Sequence, residues 1–345
     1  MSSRSSMPMI PTGRRDWVRV KALAHLEMMR PYTMFHAGLL AVAGAEVASA
    51  GAAAGWRVAL AALVTICGWE AGLYAGDYYD RELDAGSKPF RPVPSGRVSP
   101  REAFTTMLAL IAAGYVAALA LGVANLALAV LTTALGIAYS KTFKGHAILG
   151  NFDRGVLGVC AVAFGALAGG GRFSLGLALL ALVAFFHDSA TNLVGAIRDI
   201  EGDRAAGCRT APVVYGLRAA AWIAGALAAA WMLAAGALMI ALRAGGWALA
   251  LFAAAVALAV WTYGGLLASG GRVARTRALA MHKWLVAERI LLTCAVIAVF
   301  VPAGVALALA ALALAASLGA QALLRDRYEL RRPPVQPSIS MRSRA

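Results

Sequence analysis

The stretch Arg57–Asp84, RVALAALVTICGWEAGLYAGDYYDRELD, decides the fold. From Val58 to Gly76 its only charge is Glu70, and that length crosses the roughly 30 Å hydrocarbon core of a bilayer as a helix. Three aspartates, Asp77, Asp80 and Asp84, then follow at intervals of three and four, so a helix end carries them on one face. A second cluster, Asp199-Ile200-Glu201-Gly202-Asp203, closes another apolar run with a spacing of four. Only 17 of the 345 residues are Asp or Glu, so two such concentrations where helices leave the membrane carry a functional signal. Carboxylate faces of this kind are ligands for a hard divalent cation, typically Mg²⁺ bridging to a diphosphate.

Working outward, the composition is that of a polytopic membrane protein. Hydrophobic residues make up 61% and charged residues 14%, against about 25% charged in soluble domains. Apolar runs predict spans over 32–52, 57–76, 103–122, 125–140, 148–169, 174–196, 219–242 and 246–268. The stretch 284–324 is too long for one crossing, and Pro302 and Gly304 break it into two. The expected fold class is therefore an all-α integral membrane bundle of nine or ten transmembrane helices, with ten favoured. Most of the Lys and Arg behind the net charge of +15 lie in the long segments 77–102, 141–147, 197–218 and 269–283, in the N-terminal segment and in the tail, while the opposite turns hold lone charges at Arg57, Arg172 and Arg243. That asymmetry predicts a multi-pass cell-membrane protein whose acidic clusters face the cytoplasm, and it accounts for the charge without nucleic acid. Residues 1–30 form a cytoplasmic N-terminal segment without the apolar core of a signal peptide, 31–325 the membrane domain, and 326–345 a basic, disordered cytoplasmic tail. The four cysteines are scattered singly and show no metal-ligand spacing.

After the first acid cluster comes Lys88-Pro89-Phe90-Arg91-Pro92-Val93-Pro94-Ser95-Gly96-Arg97. Its prolines exclude ordinary helix and stiffen the loop, so Lys88, Arg91 and Arg97 can converge on phosphate oxygens. The turn Tyr139–Lys144, with Lys141 and Lys144, lies on the same side. A faint repeat links the clusters. Asp80-x₃-Asp84 precedes Gly86, Lys88 and Pro92-Val93, while Asp199-x₃-Asp203 precedes Gly207, Arg209 and Pro212-Val213. A parallel duplication of a four-helix unit would bring both clusters to one cavity mouth.

These motifs resemble those of the UbiA superfamily of intramembrane prenyltransferases, the 4-hydroxybenzoate polyprenyltransferase type among them. The first cluster is similar to the family's Asn-Asp-x-x-Asp-x-x-x-Asp motif, Lys88–Gly96 to its Lys-Pro-x-Arg-Pro-x-Pro-Ser-Gly loop, and Arg198–Arg204 to its second Asp-x-x-x-Asp motif. Arg30-Pro31 and Tyr139-Ser140 also fit, and the likeness covers about residues 25–325. It implies a UbiA-type bundle around a central cavity. Asp77, Asp80, Asp84, Asp199 and Asp203 would hold Mg²⁺ and diphosphate, with Lys88, Arg91 and Lys141 or Arg198 contacting the diphosphate. Gly76 departs from the pattern, standing where the family has Asn.

The resemblance implies transfer of a prenyl group from an allylic prenyl diphosphate to a lipophilic or aromatic acceptor, releasing diphosphate. Within the fold, a terpene cyclase or a phosphosugar or glycerol phosphate prenyltransferase is the alternative. A secondary transporter, or an isoprenoid-binding protein without turnover, represents a different class; transporters usually bind ions near the midplane, whereas these acids stand at the mouth. Deeper in span six, Asp188, Asn192, Gly195 and Asp199 share one face, and Glu70 stands seven residues before Asp77. Asp188 or Glu70, with Asn192 alongside, is a candidate to orient or deprotonate the acceptor or to steady the allylic cation. The competing reading of Asp188 is a buried pair with His187, Arg154 or Arg289. Asp153-Arg154 and Glu288-Arg289 read as structural ion pairs. Oligomeric state leaves no mark in the sequence.

Overall fold

The computed structural model describes residues 14–273 and 275–325. Before the first acid cluster come α1 (Arg14–Met29), α2 (Phe35–Ser49) and α3 (Gly55–Tyr79), and the short α4 (Arg81–Ser87) carries the end of that cluster. α5 (Pro100–Leu121), α6 (Val123–Lys141) and α7 (Leu149–Ala168) lead to the long α8 (Leu175–Ala205), which ends in the second cluster. The short α9 (Ala211–Tyr215) precedes α10 (Leu217–Ala241), α11 (Gly246–Ala268), α12 (Arg275–Ile297) and α13 (Ala303–Arg325). Two-residue strands, β1 (His146–Ala147) and β2 (Arg209–Thr210), pair in parallel between the α6–α7 and α8–α9 connections.

Eight helices are long and apolar enough to cross a membrane, against the nine or ten expected. The two that fall short are α2, with 15 residues, and α12, whose first half carries Arg277, His282 and Lys283. That polar half is why α12 starts ahead of the predicted 284. The stretch 284–324 is two helices, parted at 298–302 just where Pro302 withdraws a backbone donor. The tail 326–345 and residues 1–13 lie outside the described residues.

Local chemistry sets the helix ends. Ser99 Oγ accepts from Glu102 N while Ser99 N donates to Glu102 Oε2, a reciprocal cap with Pro100 opening α5. Gly122, at φ 143, makes the tight α5–α6 turn in backbone space closed to other residues. On the opposite face from the acids, Arg57 donates to Ala168 O (2.6 Å) and Leu121 O (3.0 Å), tying α3 to the C-terminal carbonyls of α7 and α5.

Large side chains such as Leu233, Ile240, Val116 and Leu312 are exposed on the helix surfaces, as lipid-facing residues are. Inside, small residues let backbones meet. A Cβ on Gly44 would lie 2.2 Å from Val162 O, and one on Gly165 would lie 1.8 Å from Ala41 O, so α2 and α7 are in near backbone contact. α3 packs chiefly against α5, and α8 against α10. Each acid-ending helix is thus followed by a short helix and a long one that packs back on it. α1 lies inside the segment expected to precede the membrane domain, and its Ala24 and Met28 are buried with Tyr74, Val98 and Met107.

Candidate active site

The C-terminal ends of α3 and α8 open onto one cavity of about 520 Å³, within the range of small-molecule sites. Asp77, Asp80, Asp84, Asp199 and Asp203 all line it, together with Lys88, Arg91, Arg198, Asn192 and Asp188. Residues 115 apart in sequence, Asp84 and Asp199, therefore share one wall-to-wall space because the two acid-ending helices point the same way.

Each aspartate at the mouth is held by a specific partner. Arg30 Nη2 donates to Asp77 Oδ1 at 2.7 Å, Arg91 Nη1 donates to Asp84 Oδ2 at 2.6 Å, and Lys144 bonds Asp80. Arg198 grips Asp199 with two bonds, of 3.1 and 2.8 Å. Asp203 accepts from the Thr210 hydroxyl at 3.1 Å, next to the β1–β2 pair. Burial opposes the Arg91 charge, but Asp84 and Asp77 outweigh it and raise the Arg91 pKa. Lys144 behaves alike: burial pushes its ammonium down, and Asp80 more than restores it, for a net rise. Lys88 is different. Burial, then the Arg91 charge, lower its pKa against the pull of Asp199 and Asp84, and it forms no ion pair among the described residues. It therefore stands between the two acid clusters with its ammonium available to an anion.

Three expectations need correction. Lys141, at the end of α6, lies exposed over the Tyr79 ring (5.0 Å) rather than in the cavity wall; Lys144, on the turn after it, takes the inward place. Glu70 is buried but does not line the cavity. At its depth the wall is the neighbouring stripe Thr65, Gly68, Trp69 and Gly72, and the Glu70 face of α3 turns toward Tyr74 and Arg30. Arg97 reaches Glu27 of α1 at 2.7 Å and Phe90 O at 2.7 Å, fixing the loop instead of meeting phosphate. Gly76 faces open cavity, with nothing within 4 Å of where its Cβ would be.

The floor is built from other chemistry. His36 Nε2 lies 2.8 Å and His187 Nδ1 3.3 Å from Asp188 Oδ1, and His187 Nε2 lies 2.9 Å from Glu288 Oε2. Asp188 packs so closely on α7 that a Cβ at Gly158 would lie 2.7 Å from its Oδ2. The expected His187 partnership is present, but the closer partner, His36, is 152 residues away and had no local signal. Neither Asp153-Arg154 nor Glu288-Arg289 forms an ion pair among the described residues; Glu288 bonds His187, and Arg154 stacks on Trp69 (4.5 Å) and Tyr139 (5.6 Å). Asn192 accepts from Asn151 (2.8 Å) and donates to Tyr139 Oη (3.2 Å). His36, His187 and Asp188 are clustered closely enough to suggest a metal site, but imidazoles suit zinc-like ions, and in this structure both histidines bond Asp188 while His36 Nδ1 is left buried without a partner. At the mouth the five aspartates offer carboxylate oxygens, the donor type that suits Mg²⁺.

Comparison with known proteins places the fold among one family. The model of the UbiA prenyltransferase family matches residues 37–286. The digeranylgeranylglyceryl phosphate synthase of Natronomonas pharaonis is 37% identical over 198 residues, 57% of this chain and 70% of that protein. Among solved structures, a UbiA homologue from Aeropyrum pernix K1 superposes with a TM-score of 0.63 at 22% identity, over 74% of this chain and 96% of that one. A UbiA homologue from Archaeoglobus fulgidus bound to GPP and Mg²⁺ gives 0.59 at 18% identity, over 80% and 99%.

Proposed function

This chain belongs to the UbiA prenyltransferase family and is an integral-membrane prenyltransferase, and from that premise we propose that it transfers a prenyl group from an allylic diphosphate to a glycerol phosphate-type lipid acceptor. The observation that carries the reading is the convergence of both acid clusters, Lys88 and Arg91 on the mouth of one cavity. The acceptor class is favoured by the relatives, named digeranylgeranylglyceryl phosphate synthases, over the aromatic acceptor that the motifs alone suggest.

Asp77, Asp80, Asp84, Asp199 and Asp203 would hold Mg²⁺, which when bound neutralises charge on the departing diphosphate. Lys88 and Arg91 bind the diphosphate oxygens and stabilise the same charge as the allylic C–O bond breaks. Arg30, Lys144 and Arg198 hold their aspartates in position until substrate arrives. Below, the walls exclude water, which would otherwise capture the allylic cation as an alcohol. The acceptor oxygen then forms the new bond to the prenyl carbon and gives up its proton to the departed diphosphate. Asp188 stands eleven residues, or about 16 Å of helix rise, below Asp199. We assign it with Asn192 to orienting the acceptor, because it is too deep to meet the diphosphate. Positive loop charge supports a cytoplasmic mouth.

The test is Mg²⁺-dependent diphosphate release by purified protein in lipid, across allylic diphosphates of increasing length. An alkyl glycerol phosphate, 4-hydroxybenzoate or no acceptor is supplied in parallel. Release and an ether product only with the glycerol phosphate support the proposal. An aromatic product restores the alternative acceptor, and release without any acceptor indicates a cyclase.

A further inference from the structure

Arg289, on α12, lines the inner cavity at 7% exposure. Its guanidinium makes no hydrogen bond or ion pair among the described residues, and its Nε is buried without a partner. Two carboxylates, Asp188 and Glu288, lie within its electrostatic reach, yet both turn to the histidines instead. Arg154, on α7, lines the same part of the cavity, also without an ion pair, its plane fixed between the Trp69 and Tyr139 rings. The two arginines repel each other across this space. A buried cation in a membrane interior is costly unless something compensates it; Asp188 and Glu288 attract Arg289 and Asp153 attracts Arg154, but none of the three forms an ion pair with either guanidinium.

We propose that Arg154 and Arg289 form a second anion subsite, below the diphosphate site, that binds the phosphate monoester of the acceptor. The inference rests on the acceptor reading above and assigns it two residues. A planar guanidinium clamped by aromatic rings presents paired donors to a phosphate, and a second one opposite closes a fork that neutral head groups cannot use. The phosphate also relieves the repulsion between the two arginines. With the acceptor phosphate held on the floor, the glycerol hydroxyl is left to face upward toward the donor carbon.

The experiment is a binding titration of protein in phosphatidylcholine nanodiscs, read by tryptophan fluorescence, since Arg154 stacks on Trp69. Ligands are an alkyl glycerol phosphate, the same alkyl glycerol without phosphate, and geranyl diphosphate with Mg²⁺. Wild type should prefer the phosphate-bearing lipid. Arg154→Gln and Arg289→Gln should each weaken that ligand about 10- to 100-fold, the scale of a lost charge-assisted hydrogen bond, while leaving the neutral lipid and geranyl diphosphate unchanged. Arg154→Lys should recover part of the loss. Arg154 is half-exposed, so its variant keeps the test valid if Arg289→Gln fails to fold. A phosphate preference that survives Arg154→Gln and any folded Arg289 variant, or donor binding that falls in step, overturns the subsite. Prenyl transfer with an unaltered phosphate preference would sink the subsite alone. Arginine-dependent phosphate binding without transfer to any acceptor would sink the transferase reading alone.

Discussion

The mouth and the floor of the cavity solve the same problem, buried carboxylates, in opposite ways. At the mouth Asp77, Asp80, Asp84 and Asp199 pair with Arg30, Lys144, Arg91 and Arg198. On the floor Asp188 and Glu288 pair with His36 and His187, and two arginines are left over. Pairs that line the cavity mouth can be exchanged when a more highly charged ligand arrives there. Parting a buried imidazole–carboxylate chain strands its members in a low-dielectric interior, at a cost that favours keeping it intact. The mouth is thus built for turnover of its partners, and the floor for holding one shape.

This contrast can be broken or sharpened by experiment. The largest effect should come from the mouth: Asp77→Ala with Asp199→Ala should reduce prenyl transfer by about 10³-fold or more, the scale of losing a transition-state charge stabiliser, with little change in thermal unfolding. A residual rate near wild type would show that the clusters do not hold the metal. Next comes the floor, where Asp188→Asn should lower turnover about 10²-fold through acceptor misplacement while Mg²⁺-dependent donor binding persists. If donor affinity collapses as well, mouth and floor are not separate. Lys144→Ala should cost about tenfold and Lys141→Ala nothing measurable, since only Lys144 touches the acid cluster; equal effects would reverse that assignment. Because burial and Arg91 lower the Lys88 pKa, diphosphate binding should weaken as pH rises through a value below that of free lysine, and Lys88→Arg should move that limb upward. An unmoved alkaline limb assigns the titration to another group. The smallest effect should be Gly76→Asn, which fits open space and should fold normally while modestly lowering the Mg²⁺ requirement; a destabilised protein would contradict the open geometry.

What the sequence made legible was what depends on short spacing. The two aspartate motifs and the proline-stiffened loop lie within a few turns of their own helices, so their joint use could be read directly. Helix 3.6-residue periodicity also placed Asp188 and Asn192 on the Asp199 face, and both line the cavity. The same argument failed for Glu70, because sharing a face with Asp77 does not fix what packs there two turns deeper. It misplaced Lys141 as well, since a three-residue shift at a helix end decides between solvent and cavity. His36 with Asp188, Arg30 with Asp77 and Lys144 with Asp80 are tertiary meetings across 47 to 152 residues, and no periodicity encodes them. Adjacent opposite charges misled for a related reason: at 153–154 and 288–289 successive helix positions point about 100° apart, so neighbours in sequence face different partners.

The short β1–β2 pair has a consequence for biosynthesis. Its strands, at 146–147 and 209–210, belong to different halves of the chain, as do His36 and Asp188. When the first acid cluster and its loop leave the ribosome, α8 is still more than ninety residues from completion. A nascent chain at that stage carries half of the proposed diphosphate site and no floor. The enzyme is therefore silent while it is being made, and its chemistry switches on only when the second half has been threaded into the bilayer and latched to the first.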